Sequence, residues 1–192
     1  MIQAQVSNTP GAYIALQKKS EEIGFSMPSD IHIGSLLRTL IASKPNGRFL
    51  ELGTGMGLSL SWMVDGMDNN SRVISLDNDH ELVQLVSEHF QQDARVDIQC
   101  TDAAKWLENY GGESFDLVFA DAWPGKYSHL NEVLNFIEPG GFYVIDDMNP
   151  QPNWPIGHGD KVNHLIAHLE QRDDLIVTKM DWSSGTIIAV KK

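Results

Sequence analysis

The segment RFLELGTGMGLSLSW, residues 48–62, joins a short apolar run to a longer one through three closely spaced glycines. Gly53, Gly55 and Gly57 stand at alternate positions, where the lack of a Cβ lets the backbone turn sharply and approach a ligand. The free N–H groups at the start of a following helix would attract an anionic group. The segment therefore predicts a strand, a loop and a helix, with a cofactor site at the carboxyl end of the strand.

The same alternation between short apolar runs and helical periodicity continues along the chain. Strands are predicted at residues 49–52, 73–76, 96–100, 115–120, 142–145, 175–178 and 186–190. Helices are predicted at 10–22, from just after Asp30 to before Pro45, and at 57–66, 79–91, 102–109, 128–137 and 159–171. No helix separates the last two strands, which should pair as an antiparallel hairpin.

This order of elements predicts an α/β fold, namely a Rossmann-like, doubly wound sheet of seven strands that is mostly parallel. The chain of 192 residues is expected to form a single domain, 1–192, in which N-terminal helices within 1–45 cover the cofactor and substrate side. A long irregular stretch, residues 148–159, is expected to be a functional loop because loops of this length are uncommon otherwise.

Composition narrows the range of partners. The chain has 26 acidic against 14 basic residues and a formal net charge of −12, which disfavours nucleic acid and anionic lipid as partners. No apolar run is long enough to span a membrane. A single cysteine, Cys100, cannot form an internal disulfide, so we expect a reducing, cytoplasmic setting.

Spacing distinguishes between possible cofactors. A dinucleotide fingerprint requires a glycine at the sixth position from Gly53, where this chain has Leu58, and no Lys-Ser/Thr pair follows to make a phosphate-binding P-loop. The next predicted strand ends in Asp77-Asn78, where an acid can accept both hydroxyls of a ribose. Asp77 could instead cap the following helix, although Asp79 is better placed to do so.

The pattern E-x-G-x-G-x-G that begins at Glu51 resembles motif I of the class I S-adenosylmethionine-dependent methyltransferases. Three further segments, FADAWPGKY (119–127), PGGFYVIDDMNP (139–150) and MDWSSGTIIAVKK (180–192), resemble the cation-dependent O-methyltransferases, a family that includes the catechol and caffeoyl-CoA enzymes. The resemblance extends from about Met27 to the C-terminus. It implies S-adenosylmethionine (SAM) as cofactor and a small hydroxylated, catechol-like substrate.

The resemblance also implies roles for individual residues. Cofactor contacts fall on Glu51, Gly53, Thr54, Gly55, Gly57, Ser59, Asp77, Asn78, Asp102, Ala103 and Asp121. Ser59 is placed near the cofactor carboxylate, and Asp102 and Ala103 beside the adenine, although Asp102 could equally cap the helix that follows it. A divalent cation, Mg²⁺ or a similar ion, is implied at Asp121, Asp146 and Asp147, where Asp147 replaces the usual Asn. Trp123 and Tyr127 fall on the substrate pocket.

One departure concerns the general base. The family carries a lysine three residues after the first metal-binding Asp, and this chain has Pro124 there, which cannot accept a proton. Lys126 follows two residues later and is either a solvated surface lysine or a residue that reaches back into the site. Asp121 and Lys126 are accordingly the candidate catalytic residues. A lost lysine is tolerable because a cation that binds a phenolic oxygen stabilises its anion.

Other interpretations stay open. The chain could be a cofactor-binding protein of this fold whose activity is lost or independent of metal, as Pro124 would suggest, or an NAD-dependent oxidoreductase. The pair His164 and His168 has a spacing that suits a metal but is interpreted as a polar helix face. Trp154 and Trp182 could wall an aromatic pocket or simply pack. The resembled family also suggests a homodimer.

Overall fold

The computed structural model describes residues 6–151 and 154–192 of the chain. The elements follow one another in the order α1 (Gly11–Ile23), α2 (Ile31–Ala42), β1 (Arg48–Leu52), α3 (Leu58–Gly66), β2 (Arg72–Asp77), α4 (His80–Phe90), β3 (Val96–Cys100), α5 (Ala103–Asn109), β4 (Phe115–Ala120), α6 (Leu130–Asn135), β5 (Ile137–Ile145), α7 (His158–Glu170), β6 (Leu175–Met180) and β7 (Thr186–Lys191).

The strands form one sheet in the order β3-β2-β1-β4-β5-β7-β6. Neighbours from β3 through β5 are parallel, while β7 runs antiparallel to both β5 and β6. The predicted fold class, including the C-terminal antiparallel hairpin, is therefore confirmed. The chain first builds outward from β1 through β2 to β3 and then returns to add β4 beside β1, so the strand order reverses between β1 and β4.

Two hydrophobic cores cover the two faces of the sheet, because successive strand residues point to opposite sides. Phe49 packs with residues of α1 to α4, whereas Leu50 packs with residues of α5, α6 and α7. Both side chains are fully buried. Helices α1 and α2 pack against α3, and the connection between them, residues 24–30, reaches the carboxyl ends of the strands.

The predicted helix at 128–137 is wrong at its end. The helix stops at Asn135, and Ile137 is already the first residue of β5, opposite Phe115 of β4. The two strands lose register between Phe115 and Leu117, where residues 138–141 bulge out of β5. Leu134 and Ile137 are buried in the same core, so their spacing is compatible with a helix and conceals the change to a strand.

Across residues 6–151 and 154–192, no helix is both long and apolar enough to cross a membrane.

Candidate active site

A cavity of about 610 Å³ opens at the carboxyl ends of β1, β2, β4 and β5. Open α/β sheets bind ligands at such a position, where the strand order reverses. Its wall has three parts: residues 25–30 between α1 and α2, the glycine loop with the end of β2, and the ends of β4 and β5 with the β6–β7 hairpin. Six aspartates line it, and none of its described lining residues is Lys or Arg: Asp30, Asp77, Asp79, Asp121, Asp146 and Asp147.

The glycine loop adopts the tight path that its sequence predicts. Gly53, Gly55 and Gly57 have φ angles of +102°, +49° and +69°, in the region that favours glycine. At Gly53 a Cβ would lie 2.8 Å from the backbone oxygen of Asp121, so the loops after β1 and β4 touch there. The N–H of Gly53 donates to the carbonyl of Leu76 at 2.9 Å, which ties the loop to β2 as well. Gly53, Thr54 and Gly55 line the cavity.

A buried network of hydrogen-bonded polar side chains supports the glycine loop. The Glu51 carboxyl accepts hydrogen bonds from the hydroxyls of Ser59, at 2.6 Å, and Ser75, at 2.5 Å, and the hydroxyls of Ser75 and Thr54 are 2.6 Å apart. Burial raises the pKa of Glu51 to about 8. Glu51, Gly57 and Ser59 do not line the cavity, so the geometry gives Glu51 and Ser59 a bracing role, and their contact with a cofactor stays a prediction.

Asp77 faces the cavity from the end of β2, together with Asn78. One carboxylate oxygen accepts from the N–H of Gly55 at 2.8 Å and the other from the N–H of Asp79 at 3.0 Å. Each carboxylate oxygen has two lone pairs, so acceptor capacity remains for ligand hydroxyls. The helix cap is Asp79, which accepts from the N–H groups of Glu81 and Leu82, as expected.

Asp102 caps α5 by accepting hydrogen bonds from the N–H groups of Ala104 and Lys105 at 2.9 and 3.2 Å. This bears out the capping alternative for Asp102. Neither Asp102 nor Ala103 lines the cavity. Their contact with an adenine ring stays a prediction.

The acids after β4 and β5 meet at the cavity floor. Asp121 follows β4, and its Oδ2 accepts from the Ser29 hydroxyl at 3.4 Å. Asp146 follows β5, and its Oδ1 accepts from the Ser184 hydroxyl and from the N–H of Asp147 at 2.8 Å. Burial raises the pKa of Asp121, and burial together with the negative charge of Asp121 raises the pKa of Asp146 to about 7.

Asp147 has a φ of +60°, in the left-handed region that Asn and Asp tolerate better than other residues with a side chain. The backbone therefore accounts for an Asn or Asp at this position without any ligand. Asp147 lines the same cavity as Asp121 and Asp146.

Lys126 is 5% exposed, so its interpretation as a solvated surface residue is wrong. Its ammonium lies 3.3 Å from Asp121 Oδ1 and donates to the backbone carbonyl of Asp146 at 2.9 Å. The side chain thus reaches back across the turn and joins the ends of β4 and β5. Pro124 itself supplies no base, and Lys126, two residues later in the sequence, is the lysine that reaches the ends of β4 and β5.

The donor set does not fit the implied divalent cation. Within the described part of the chain, no three His, Cys, Asp or Glu side chains come together as a metal-holding group. Asp121 Oδ1 faces the ammonium of Lys126, and Asp146 Oδ1 is already bonded to Ser184 and to the N–H of Asp147. A cation shared by these carboxylates would have to lie beside an existing positive charge.

Trp123 and Tyr127 line a second cavity, of about 550 Å³, rather than the first. Tyr127 donates to or accepts from His158 at 3.1 Å, and burial raises the pKa of the phenol to about 12. Trp123 is 50% exposed, with the Lys161 ammonium 4.1 Å from its ring centre. Lys126 also lines this second cavity.

His164 and His168 lie on the exposed face of α7, as the polar-face interpretation predicts, and both line the second cavity.

Several cavity residues have no counterpart among the residues predicted from sequence. They belong to the connection between α1 and α2 (Phe25, Ser29 and Asp30) and to the loops near the β6–β7 hairpin (Gln151, Ser183 and Ser184). Ser29 and Asp121 are 92 positions apart, so no local pattern could join them. The segment DWSSG, residues 181–185, carries the only signal for Ser183 and Ser184.

Comparison with known proteins gives the family. Residues 50–148 match the family model described as a methyltransferase domain. A candidate O-methyltransferase of Mycolicibacterium vanbaalenii is 28% identical over 136 residues, which is 68% of this chain and 60% of that protein. Another from Mycobacterium leprae is 30% identical over 134 residues, 67% of this chain and 59% of that protein. The chain thus spans about three fifths of the length of these relatives.

Solved structures show the same fold. A candidate O-methyltransferase from Klebsiella pneumoniae superposes with a TM-score of 0.83 at 22% identity, over 97% of this chain and 92% of that one. The O-methyltransferase TomG of Streptomyces achromogenes, solved in complex with SAM, has a TM-score of 0.83 at 20% identity, over 96% and 91%. The resemblance to SAM-dependent O-methyltransferases is confirmed, while these similarities do not distinguish its cation-dependent branch. The chain belongs to the methyltransferase-domain family.

Proposed function

We propose that this chain is a SAM-dependent O-methyltransferase that acts on a hydroxyl group of a small, catechol-like molecule. The observation that carries the proposal is the charge of the main cavity, whose described wall holds six aspartates and no basic side chain. A sulfonium cation is stabilised by such a wall, whereas the pyrophosphate of NAD would be repelled by it. The cavity volume of about 610 Å³ lies within the range of cofactor sites.

The chain's own residues supply position and charge. Gly53, Thr54 and Gly55 line the cavity and would bring the loop backbone against the cofactor, and Asp77 would accept hydrogen bonds from its ribose hydroxyls. Alignment of a hydroxyl oxygen with the sulfonium methyl can supply roughly 7–11 kcal/mol of the barrier. Bound SAM would supply the methyl group, with an O–CH₃ bond formed as the S–CH₃ bond is broken, and the Asp121 carboxylate, whose pKa burial raises, would accept the hydroxyl proton.

Trp123 and Tyr127 are proposed to wall the path of the substrate from the second cavity. Lys126 lines that cavity and contacts Asp121, which lines the first. The two cavities therefore approach one another at this ion pair. A substrate that enters beside Trp123 would bring its hydroxyl to the side of Asp121 that faces the cofactor.

Calorimetric titration with SAM, S-adenosylhomocysteine and NAD tests the cofactor. We expect both adenosyl compounds to bind and NAD not to bind. Tight binding of NAD alone would overturn the proposal in favour of an oxidoreductase.

Methyl transfer to a panel of catechols and other hydroxylated aromatics, followed by mass spectrometry, tests the reaction. The expected product gains one methyl group on oxygen. SAM binding with no transfer to any member of the panel would instead support the alternative of a cofactor-binding protein without activity.

A further inference from the structure

We propose that the Lys126 ammonium is the resident cation of this site, in place of a divalent ion, and that methyl transfer by this chain is independent of metal. The inference rests on the proposed function for its catalytic part only. The claim that Lys126 excludes a metal ion stands on the geometry of Lys126, Asp121 and Asp146.

The ammonium lies between the ends of two neighbouring strands. It is 3.3 Å from Asp121 Oδ1 and 2.9 Å from the carbonyl oxygen of Asp146, and the side chain is 5% exposed. A lysine is almost never buried to this degree without a partner. The positive charge is thus held between the Asp121 carboxylate after β4 and the backbone carbonyl of Asp146 after β5.

Contacts with buried core residues hold the turn that carries Lys126. Gly125 has a φ of +92°, and a Cβ there would lie 2.4 Å from Leu52 Cδ1, so only glycine fits. The buried hydroxyl of Tyr143 donates to the carbonyl of Gly125, and the N–H of Lys126 donates to the carbonyl of Trp123 at 3.2 Å. Together these contacts fix the start of the lysine side chain and direct it inward.

Three of the carboxylate oxygens at this site, both of Asp121 and one of Asp146, already have partners. Asp121 Oδ2 accepts from Ser29, and Asp146 Oδ1 accepts from Ser184 and from the N–H of Asp147. Mg²⁺ requires near-octahedral oxygen donors at close range, and Mn²⁺ has similar preferences. A divalent ion would therefore have to displace the ammonium or be repelled by it. Removal of the lysine charge should open the site to such an ion.

The inference can be tested without cofactor or turnover. The full chain is first treated with a chelator, and its binding of Mn²⁺ is then measured by electron paramagnetic resonance. Surface acids bind Mn²⁺ weakly, so the comparison is between wild type and Asp121→Asn. We expect identical isotherms for these two proteins. A wild-type site that Asp121→Asn abolishes would overturn the inference.

The neutral variant Lys126→Gln is expected to gain a Mn²⁺ site that binds about tenfold or more tightly than any site in wild type. The added substitution Asp121→Asn should remove it. Lys126→Arg, which keeps the charge, and Lys105→Gln, which changes an exposed lysine of α5, should gain nothing. A folded Lys126→Gln that gains no site would show that the ammonium is not what excludes the metal.

If Lys126→Gln fails to fold, Lys126→Met replaces it in the same comparison. If neither variant folds, the wild-type titration decides the question.

Methyl transfer by wild type is expected to be unchanged by EDTA. Activity that EDTA abolishes and that only added Mg²⁺ restores would overturn metal independence. Failure of the proposed function has a different signature, because SAM would then not bind or no hydroxyl would be methylated while the Mn²⁺ results stood.

Discussion

The Asp77 carboxylate and the Gly55 N–H are joined by a hydrogen bond of 2.8 Å that connects the end of β2 to the loop after β1. The same carboxylate faces the cavity. One side chain therefore shapes the loop and offers acceptors to a ligand, so its loss has two separable effects.

Substitution Asp77→Ala is expected to weaken SAM binding by about 10- to 150-fold, because ribose hydroxyls left without an acceptor cost about 1–3 kcal/mol. Calorimetric titration measures the change. Asp97→Ala, which removes an exposed acid from β3 outside the cavity, is the matched control and should bind as wild type. An unchanged affinity in Asp77→Ala would show that the ribose acid is misassigned.

Gly53→Ala should destabilise the chain by about 1–2 kcal/mol, the cost of a left-handed backbone with a side chain. Its Cβ would also press on the Asp121 carbonyl at 2.8 Å, so we expect weaker cofactor binding. Urea denaturation measures the stability. Gly111→Ala adds a Cβ with no atom within 4 Å and should change stability little. Equal effects of the two substitutions would argue against a strained glycine loop.

Glu51→Gln should change how stability depends on pH. Burial raises the pKa of Glu51 from 4.5 to about 8 in the folded chain, so its protonated form favours folding. That contribution is complete below about pH 4.5 and is lost as pH rises through about 8. Relative to Glu51→Gln, wild type should therefore lose stability across this range, by a few kcal/mol at most.

Denaturation of Glu51→Gln at several pH values, beside wild type, gives the comparison. Glu138→Gln changes an exposed glutamate of β5 and is expected to follow the wild-type profile. Parallel profiles for wild type and Glu51→Gln would show that the buried carboxyl does not titrate in this range.

Tyr143→Phe removes the hydroxyl that donates to the Gly125 carbonyl in the buried turn before Lys126. We expect a loss of about 1–3 kcal/mol in the free energy of unfolding, because the carbonyl loses its donor. Tyr110→Phe removes a more exposed bond to the Glu113 carbonyl and should cost less. Thermal and urea denaturation measure both, and equal losses would contradict a special role for the turn.

Much of the fold follows from local pattern. The glycine loop, the alternating apolar runs and the helix caps Asp79 and Asp102 are signals within a few residues of the elements they define. The predicted end of α6 is wrong because Leu134 and Ile137 enter one core from a helix and from a strand. Periodicity alone does not distinguish these two routes to burial.

The residues of the site that lie at strand ends can be predicted from the sequence. The residues that reach the site only through contacts between distant segments cannot. Asp77 ends β2, and Asp121 and Asp146 directly follow β4 and β5, so their convergence on one rim follows from the parallel arrangement of these strands. Ser29 reaches the rim from the connection between helices. The inward path of Lys126 depends on Gly125 and Tyr143, which lie on different elements, and sequence spacing does not contain that geometry.

The uneven charge of the main cavity also affects the release of the spent cofactor. In the proposed transfer the sulfonium loses its methyl group and becomes a neutral thioether, while Asp121 takes up the hydroxyl proton and the other carboxylates are unchanged. The wall of six aspartates then faces one positive charge fewer. The electrostatic attraction is therefore weaker for the spent cofactor than for the loaded one, so the same residues that would draw SAM in also favour product exchange and the start of a new cycle.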